Sequence, residues 1–366
     1  MSYDEPLFFQ VMAYADEADR DVVDMVSGNP DWEPPEPLRE GLREFADAPV
    51  EQYQYPPSEG LAALREEIAA RRGVDVERVV VTNGAGEANY LAMACGLEAH
   101  PGNEVILTDP VYPYYSGRTE MLGADARFVP VDDDGRLDPA DVREAAGDDT
   151  ALIVACSPNN PTGAVYGEEV KRELAAVAEA NDALFVSDEV YDHFDFSGRF
   201  FSALGCDSPN VAVTNAFSKS MAVTGLRVGY AVLPERLVGP ARTRHMLVNV
   251  AGAAPSQHAV LNALRETPPD YYERNREMLC DRVDAFTDAL DEAGADYITP
   301  EGAFYVLARF DDYPGTLDNV ERLIDEAGVA GMPGEAFGTA YDDWIRFALV
   351  TPRAVAAAER LAEYFR

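Results

Sequence analysis

Residues 184–230 read LFVSDEVYDHFDFSGRFFSALGCDSPNVAVTNAFSKSMAVTGLRVGY. Apolar runs occupy 184–187 and 211–215, and a third begins at Val228. Runs this short and this apolar read as strands buried on both faces. Each is flanked by residues able to do chemistry: Asp188 and Tyr191 after the first, Ser218 and Lys219 after the second, Arg227 before the third. Upstream, similar runs recur at 79–82, 104–107, 126–129 and 151–155. Segments long enough for a helix lie between several of them, as at 84–97 and 167–180. Ser58 is placed to cap a helix with Leu61, Leu64 and Ile68 on one face. Such alternation predicts an α/β fold with a mostly parallel seven-stranded sheet sandwiched by helices.

Beyond residue 265 the pattern changes. Leu279, Val283, Phe286 and Leu290 mark one face of a long helix, and strands are expected near 304–308 and 345–349. Helical stretches at 317–327 and 353–364 complete an α+β unit. Pro30, Pro34, Pro35 and Pro37 predict an irregular arm near the start. The expected division is a large unit over 45–265 and a smaller one from 1–44 with 266–366.

The 366 residues carry 29 Lys+Arg against 66 Asp+Glu, a net charge of −37. That field repels nucleic acid phosphates and anionic lipid, so neither is an expected partner. A hydrophobic content of 47% argues against disorder. Only Lys171 and Lys219 are lysines. Arginine favoured over lysine amid spread carboxylates resembles the proteins of salt-accumulating halophiles, where salt screens self-repulsion. Lys171 reads as an ordinary position on the amphipathic helix 167–180. The four cysteines show no metal or disulfide spacing and the four histidines no HExxH, so no metal is expected. Acidic residues stand at the start where a signal peptide needs basic ones, and no apolar run has membrane-spanning length, so a cytoplasmic protein is expected.

In open α/β sheets ligands bind beyond the carboxyl ends of the strands. After the run 79–82 come Gly84, Ala85 and Gly86, opening a helix whose first amides suit an anion, although a plain tight turn reads equally well. After 151–155 comes Ser157-Pro158-Asn159-Asn160-Pro161-Thr162-Gly163, which is also readable as a stiffened turn. A lysine at a strand end eight residues before an arginine is hard to dismiss as surface charge in a chain this poor in lysine.

Taken together, SPNNPTG, SDEVY and SKSMAVTGLRVGY resemble the motifs of the fold-type I pyridoxal-phosphate enzymes, specifically the class I/II aminotransferases. The resemblance extends from Gly28-Asn29-Pro30-Asp31 through Gly302-Ala303-Phe304-Tyr305 to Arg346. It implies pyridoxal 5′-phosphate as cofactor, amino acids and 2-oxo acids as substrates, and a homodimer with shared sites. Lys219 would form the imine with the cofactor aldehyde and then carry the proton. Asp188 would pair with the pyridine nitrogen, with Asn160 and Tyr191 donating to the ring's phenolate oxygen. Tyr112 would stack on the ring, its alternative being core packing. Gly84, Ala85, Gly86, Ser218 and Arg227 would form the phosphate cup, with Tyr55 reaching the neighbouring subunit's phosphate. Arg346, Asn160 and the Gly28 backbone would grip the substrate α-carboxylate, the alternative for Arg346 being an edge-strand surface charge.

Two places depart from the pattern: many relatives have hydroxyl side chains where Gly86 and Ala216 stand. Weaker cofactor binding is the expected consequence. Asn249 stands where dicarboxylate-specific relatives add an arginine, which favours a neutral or aromatic donor. Arg242 and Arg244 keep aspartate open. The rival activities are a β-lyase of the same fold, an aspartate-specific transaminase and a non-catalytic cofactor-binding regulator.

Overall fold

The computed structural model describes residues 6–366. Seven strands build the main sheet: β2 Val79–Thr82, β3 Glu104–Asp109, β4 Asp125–Pro130, β5 Thr150–Cys156, β6 Leu184–Asp188, β7 Val211–Ala216 and β8 Gly229–Val232. A short β1, Val23–Asp24, precedes them. Their spatial order is β2-β8-β7-β6-β5-β3-β4. Pairing is parallel from β7 through β4, and β8 alone runs against both its neighbours. The connection from β7 to β8 holds only the short turns Phe217–Ser220 and Thr224–Leu226 and no crossover helix, so the chain doubles back. That reversal matters for the site. It delivers Arg227, at the start of β8, to the same edge of the sheet as the carboxyl ends of β2, β5, β6 and β7.

The inner strands read as continuous apolar runs because helices cover both faces: every residue of β2, β5, β6, β7 and β8 is buried. β4 is the exposed edge and ends in Pro130, which cannot donate to a further strand.

The smaller unit has a four-stranded sheet, ordered β12-β13-β10-β9, from β9 Asp296–Tyr297, β10 Tyr305–Arg309, β12 Met332–Pro333 and β13 Ile345–Ala348. β11, Val329–Ala330, pairs in parallel with β1, which ties the N-terminal segment to this unit. Leu279, Val283, Phe286 and Leu290 are buried along the 25-residue helix Pro269–Ala293, on the face the sequence pattern picked out.

Three local expectations are corrected. Ser58 does not cap a helix: its Oγ donates to Glu59 at 3.1 Å, and the helix Ala62–Arg72 starts behind Leu61, whose N–H donates to Gln257 Oε1 at 2.8 Å. The proline-rich arm is irregular only up to Pro35. Pro37 lies in the first turn of the helix Glu36–Ala46, where its missing N–H costs nothing. That helix packs on the helix Ala254–Glu266 so closely that a Cβ on Gly41 would lie 2.9 Å from Ala259 Cα. Finally, Lys171 is not a surface residue. Only 1% exposed, it donates to Glu189 Oε1 at 3.1 Å.

Candidate active site

A cavity of about 370 Å³ opens where the carboxyl edge of the main sheet meets the smaller unit. Gly28, Ala85, Gly86, Tyr112, Asn160, Asp188, Tyr191, Ser218, Lys219, Arg227 and Arg346 all line it. These eleven span more than 300 positions, and the strand order alone brings most of them to one edge.

Lys219 lies in a single helical turn, Phe217–Ser220, directly after β7. Its Nζ donates to the Gly28 carbonyl at 2.5 Å. Burial pulls the ammonium down to about 8 from its ordinary 10.5, and the Arg346 and Arg227 guanidiniums push the same way against Asp188. Gly28 has no room for a side chain: a Cβ there would lie 2.4 Å from the Tyr305 hydroxyl.

Asp188 ends β6 and is buried. Oδ2 accepts from Asn89 Nδ2 and from the Tyr115 hydroxyl, each at 2.6 Å, and Oδ1 accepts from Val190 N–H at 3.0 Å. Burial raises this carboxyl's pKa, and those bonds together with the Arg118 charge pull it partly back. The Asn89 amide is itself oriented by Thr214, whose Oγ1 donates to Asn89 Oδ1 at 2.7 Å. Tyr191 and Tyr305 share a hydroxyl–hydroxyl bond of 3.0 Å, and burial holds Tyr191 in its neutral form.

At the other end, Gly84 N-caps the helix Ala85–Ala99 with φ at +83°. A Cβ on Gly84 would lie 2.4 Å from Arg227 Nη2, so both backbone and space demand glycine. Arg227 donates to Thr224 O at 2.9 Å and Asn83 O at 3.0 Å, which holds the guanidinium against this turn. Unsatisfied first-turn amides, the positive end of a 15-residue helix and a fixed guanidinium make a cup for a phosphate.

Arg346 lies on β13, an interior strand, and is 3% exposed, which removes the reading as an edge-strand surface charge. Nη1 donates to Asn160 Oδ1 at 3.2 Å and Nη2 to the Val26 carbonyl, while Nε is buried without a partner. The guanidinium lies 4.5 Å from the Tyr305 ring centre. A buried N–H left open beside a cavity is suited to receive a carboxylate.

Tyr55 is absent from this cavity. It is 85% exposed and stands beside the surface segment 251–255. Several cavity residues had no role assigned from the sequence: Asn89, Tyr115, Arg118, Val26 and Phe8, with Tyr305 noted only as part of a motif. Asn89 offered one signal, an amide just before the apolar run 91–95 of the helix 85–99. Asn249, Arg242 and Arg244 are engaged elsewhere, with Glu87, with Glu59 and Glu77, and with Glu98 respectively. Among the described residues no cluster of potential metal ligands occurs, and no helix is long and apolar enough to cross a membrane.

Comparison with known proteins places this geometry. The sequence profile of the family described as aminotransferase class I and II matches residues 20–362. A probable aspartate/prephenate aminotransferase of Thermus aquaticus is 33% identical over 356 residues, covering 94% of this chain and 91% of that one. Aromatic-amino-acid aminotransferase 2 of Thermococcus litoralis is 28% identical over 363 residues, covering 93% of this chain and 89% of that one. The solved aspartate aminotransferase of Thermus thermophilus with maleate superposes with a TM-score of 0.91 at 31% identity, covering 98% of this chain and 97% of that one.

Proposed function

The chain belongs to the class I and II aminotransferases, whose members use pyridoxal 5′-phosphate, and from that premise we propose that it moves an amino group from an L-amino acid to a 2-oxo acid such as 2-oxoglutarate. The reaction runs as two half-reactions, with Lys219 as the covalent anchor and proton carrier. The observation that carries this reading is Lys219 Nζ, buried in one cavity with Asp188 and Arg346 and held near a pKa of 8.

The cavity's chemistry supports the cofactor. The Gly84–Gly86 turn and Arg227 suit a phosphate, and the buried Asp188 carboxylate suits a protonated ring nitrogen. When bound, pyridoxal phosphate supplies an aldehyde for an amine and a ring that accepts the electron pair left by the α-proton. Lys219 would hold the cofactor through its aldehyde and, with its amine free, would move the substrate α-proton. Asp188 keeps the ring nitrogen charged. Arg346 orients the substrate α-carboxylate, Asn160 helps, and Tyr112 covers the ring.

Phe8, Val26, Tyr112 and Tyr114 around the cavity favour a neutral or aromatic donor, as does the engagement of Asn249, Arg242 and Arg244 elsewhere. Aspartate is the second reading, favoured by the names of the relatives and by Arg118 in the cavity. A second copy of the chain covers exposed apolar side chains such as Leu247, 77% exposed, Val248, 67%, and Tyr55, 85%, and Tyr55 then reaches the partner's phosphate cup. In this reading 45–265 serves as the cofactor-binding unit and 1–44 with 266–366 as the smaller one, in an enzyme of the cytoplasm.

Borohydride reduction followed by peptide mass spectrometry should find the cofactor on Lys219. Single amino acids should bleach the yellow holoenzyme and 2-oxo acids restore it. Pyruvate released from cysteine conjugates without an acceptor would instead make the protein a β-lyase.

A further inference from the structure

Three arginines line the cavity: Arg118, Arg227 and Arg346. Among the described residues none of the three has a carboxylate within ion-pairing distance, and their bonds go to backbone oxygens and an amide. Most other arginines of the described residues do pair with a carboxylate, although Arg20, Arg78 and Arg236 likewise bond to backbone oxygens or an amide. Arg72, Arg282 and Arg353, for example, each close on an aspartate. Unpaired guanidiniums gathered in one cavity are held for anions that arrive with ligands. The function proposed above gives Arg227 the phosphate and Arg346 the α-carboxylate. Arg118 is left over, used there only as support for the second, aspartate reading.

Its position says which anion it meets. Arg118 lies on the helix Pro113–Met121 and is half-buried. Nη1 donates to Tyr114 O at 3.2 Å, one turn back, and the guanidinium lies 5.7 Å from the Tyr114 ring centre. Nη2 points to the cup, where a Cβ built on Gly86 would come within 3.3 Å of it. Gly86 is one of the two places where a hydroxyl of the resembling enzymes is missing. A side chain at that place would press on the guanidinium. A phosphate monoester carries close to two negative charges, and one arginine plus about half a charge from the helix end leaves it under-compensated.

We propose that Arg118 is a second guanidinium of the phosphate cup, filling the space left at Gly86 and replacing the missing hydroxyls as a phosphate donor. Cofactor affinity is therefore not weakened by Gly86 and Ala216, contrary to what those two positions alone suggest. This inference rests on the cofactor reading.

The test uses the full-length apo-protein titrated with pyridoxal 5′-phosphate and with pyridoxal, which lacks the phosphate, followed by absorbance. Arg118→Gln should weaken pyridoxal phosphate binding on the order of tenfold to a hundredfold and leave pyridoxal nearly unchanged. Arg118→Lys should recover much of the loss. Gly86→Ala, which crowds Nη2, should fall between wild type and Arg118→Gln. The apo thermal midpoint of each variant should match wild type, which excludes misfolding as the cause. Equal losses for both ligands, or no loss for either, overturn the inference. An unchanged pyridoxal phosphate affinity with a raised KM only for dicarboxylate substrates also overturns it and moves Arg118 to the substrate side chain. Failure of the wild type to attach cofactor at Lys219 would instead defeat the function proposed above, so the two failures are distinguishable.

Discussion

Lys171 Nζ lies 3.1 Å from Glu189 Oε1, and the two side chains are 1% and 0% exposed. The ammonium also stands 4.6 Å from the centre of the Phe200 ring. Glu189 accepts further from Ser187, Ser202 and the Ala203 N–H, with Arg72 at 3.6 Å. It follows Asp188 directly, so the pair braces the strand end that carries the site's acid. Both lysines of this chain are thus buried, one for chemistry and one for structure.

Removing the ammonium leaves a buried carboxylate short of its main partner. Lys171→Met should therefore cost about 3 kcal/mol, softened by Arg72. Lys171→Arg should recover only part of that, because a longer, planar head must fit a filled pocket. Urea unfolding of the three proteins checks this, and a Lys171→Met variant as stable as wild type would show that the pair contributes nothing net.

Lys219 gives the apo-protein a distinctive pH dependence. Its folded pKa of about 8 lies below its ordinary 10.5, so between those values the unfolded chain binds more protons. Stability from this group therefore rises as pH climbs through that window and is lowest below 8. Wild-type apo-protein should gain about 3 kcal/mol on Lys219→Met between pH 8 and 10.5. Parallel stability curves for the two proteins would mean that Lys219 is not depressed.

Tyr115 is one of two side-chain donors to Asp188 Oδ2. Tyr115→Phe removes a bond that favours the ionised carboxylate, so Asp188 should titrate higher and the acid limb of the rate profile should move to higher pH. Activity at neutral pH should drop about tenfold. Asp188→Asn, which cannot hold a charge, should drop about a hundredfold to a thousandfold without a shifted limb.

Arg346 offers a planar fork with Nε open. Arg346→Lys keeps the charge and loses the fork, so KM for amino and 2-oxo acids should rise about tenfold to a hundredfold. Amines without a carboxylate should be affected far less, and equal losses for both would remove Arg346 from substrate binding.

The alternation of short apolar runs with helices was readable from the sequence because strand and helix periods are local, and the residues following each run marked one edge of the sheet. Asp188, Asn160, Lys219 and the Gly84–Gly86 turn were legible for that reason, since each lies at the carboxyl end of its own strand or within about four residues beyond it. Ser58 misled because a capping residue type is common and only the backbone path decides whether it is used. Lys171 misled because its helix is amphipathic, and whether a lysine turns inward depends on a buried partner 18 residues away. The joining of Arg346 to Asn160 and Val26, of Tyr305 to Tyr191, and of Arg118 to Gly86 was decided by tertiary structure alone. Those partners lie from tens to hundreds of residues apart on different elements, and their meeting depends on the tertiary path of the chain, which no local period encodes.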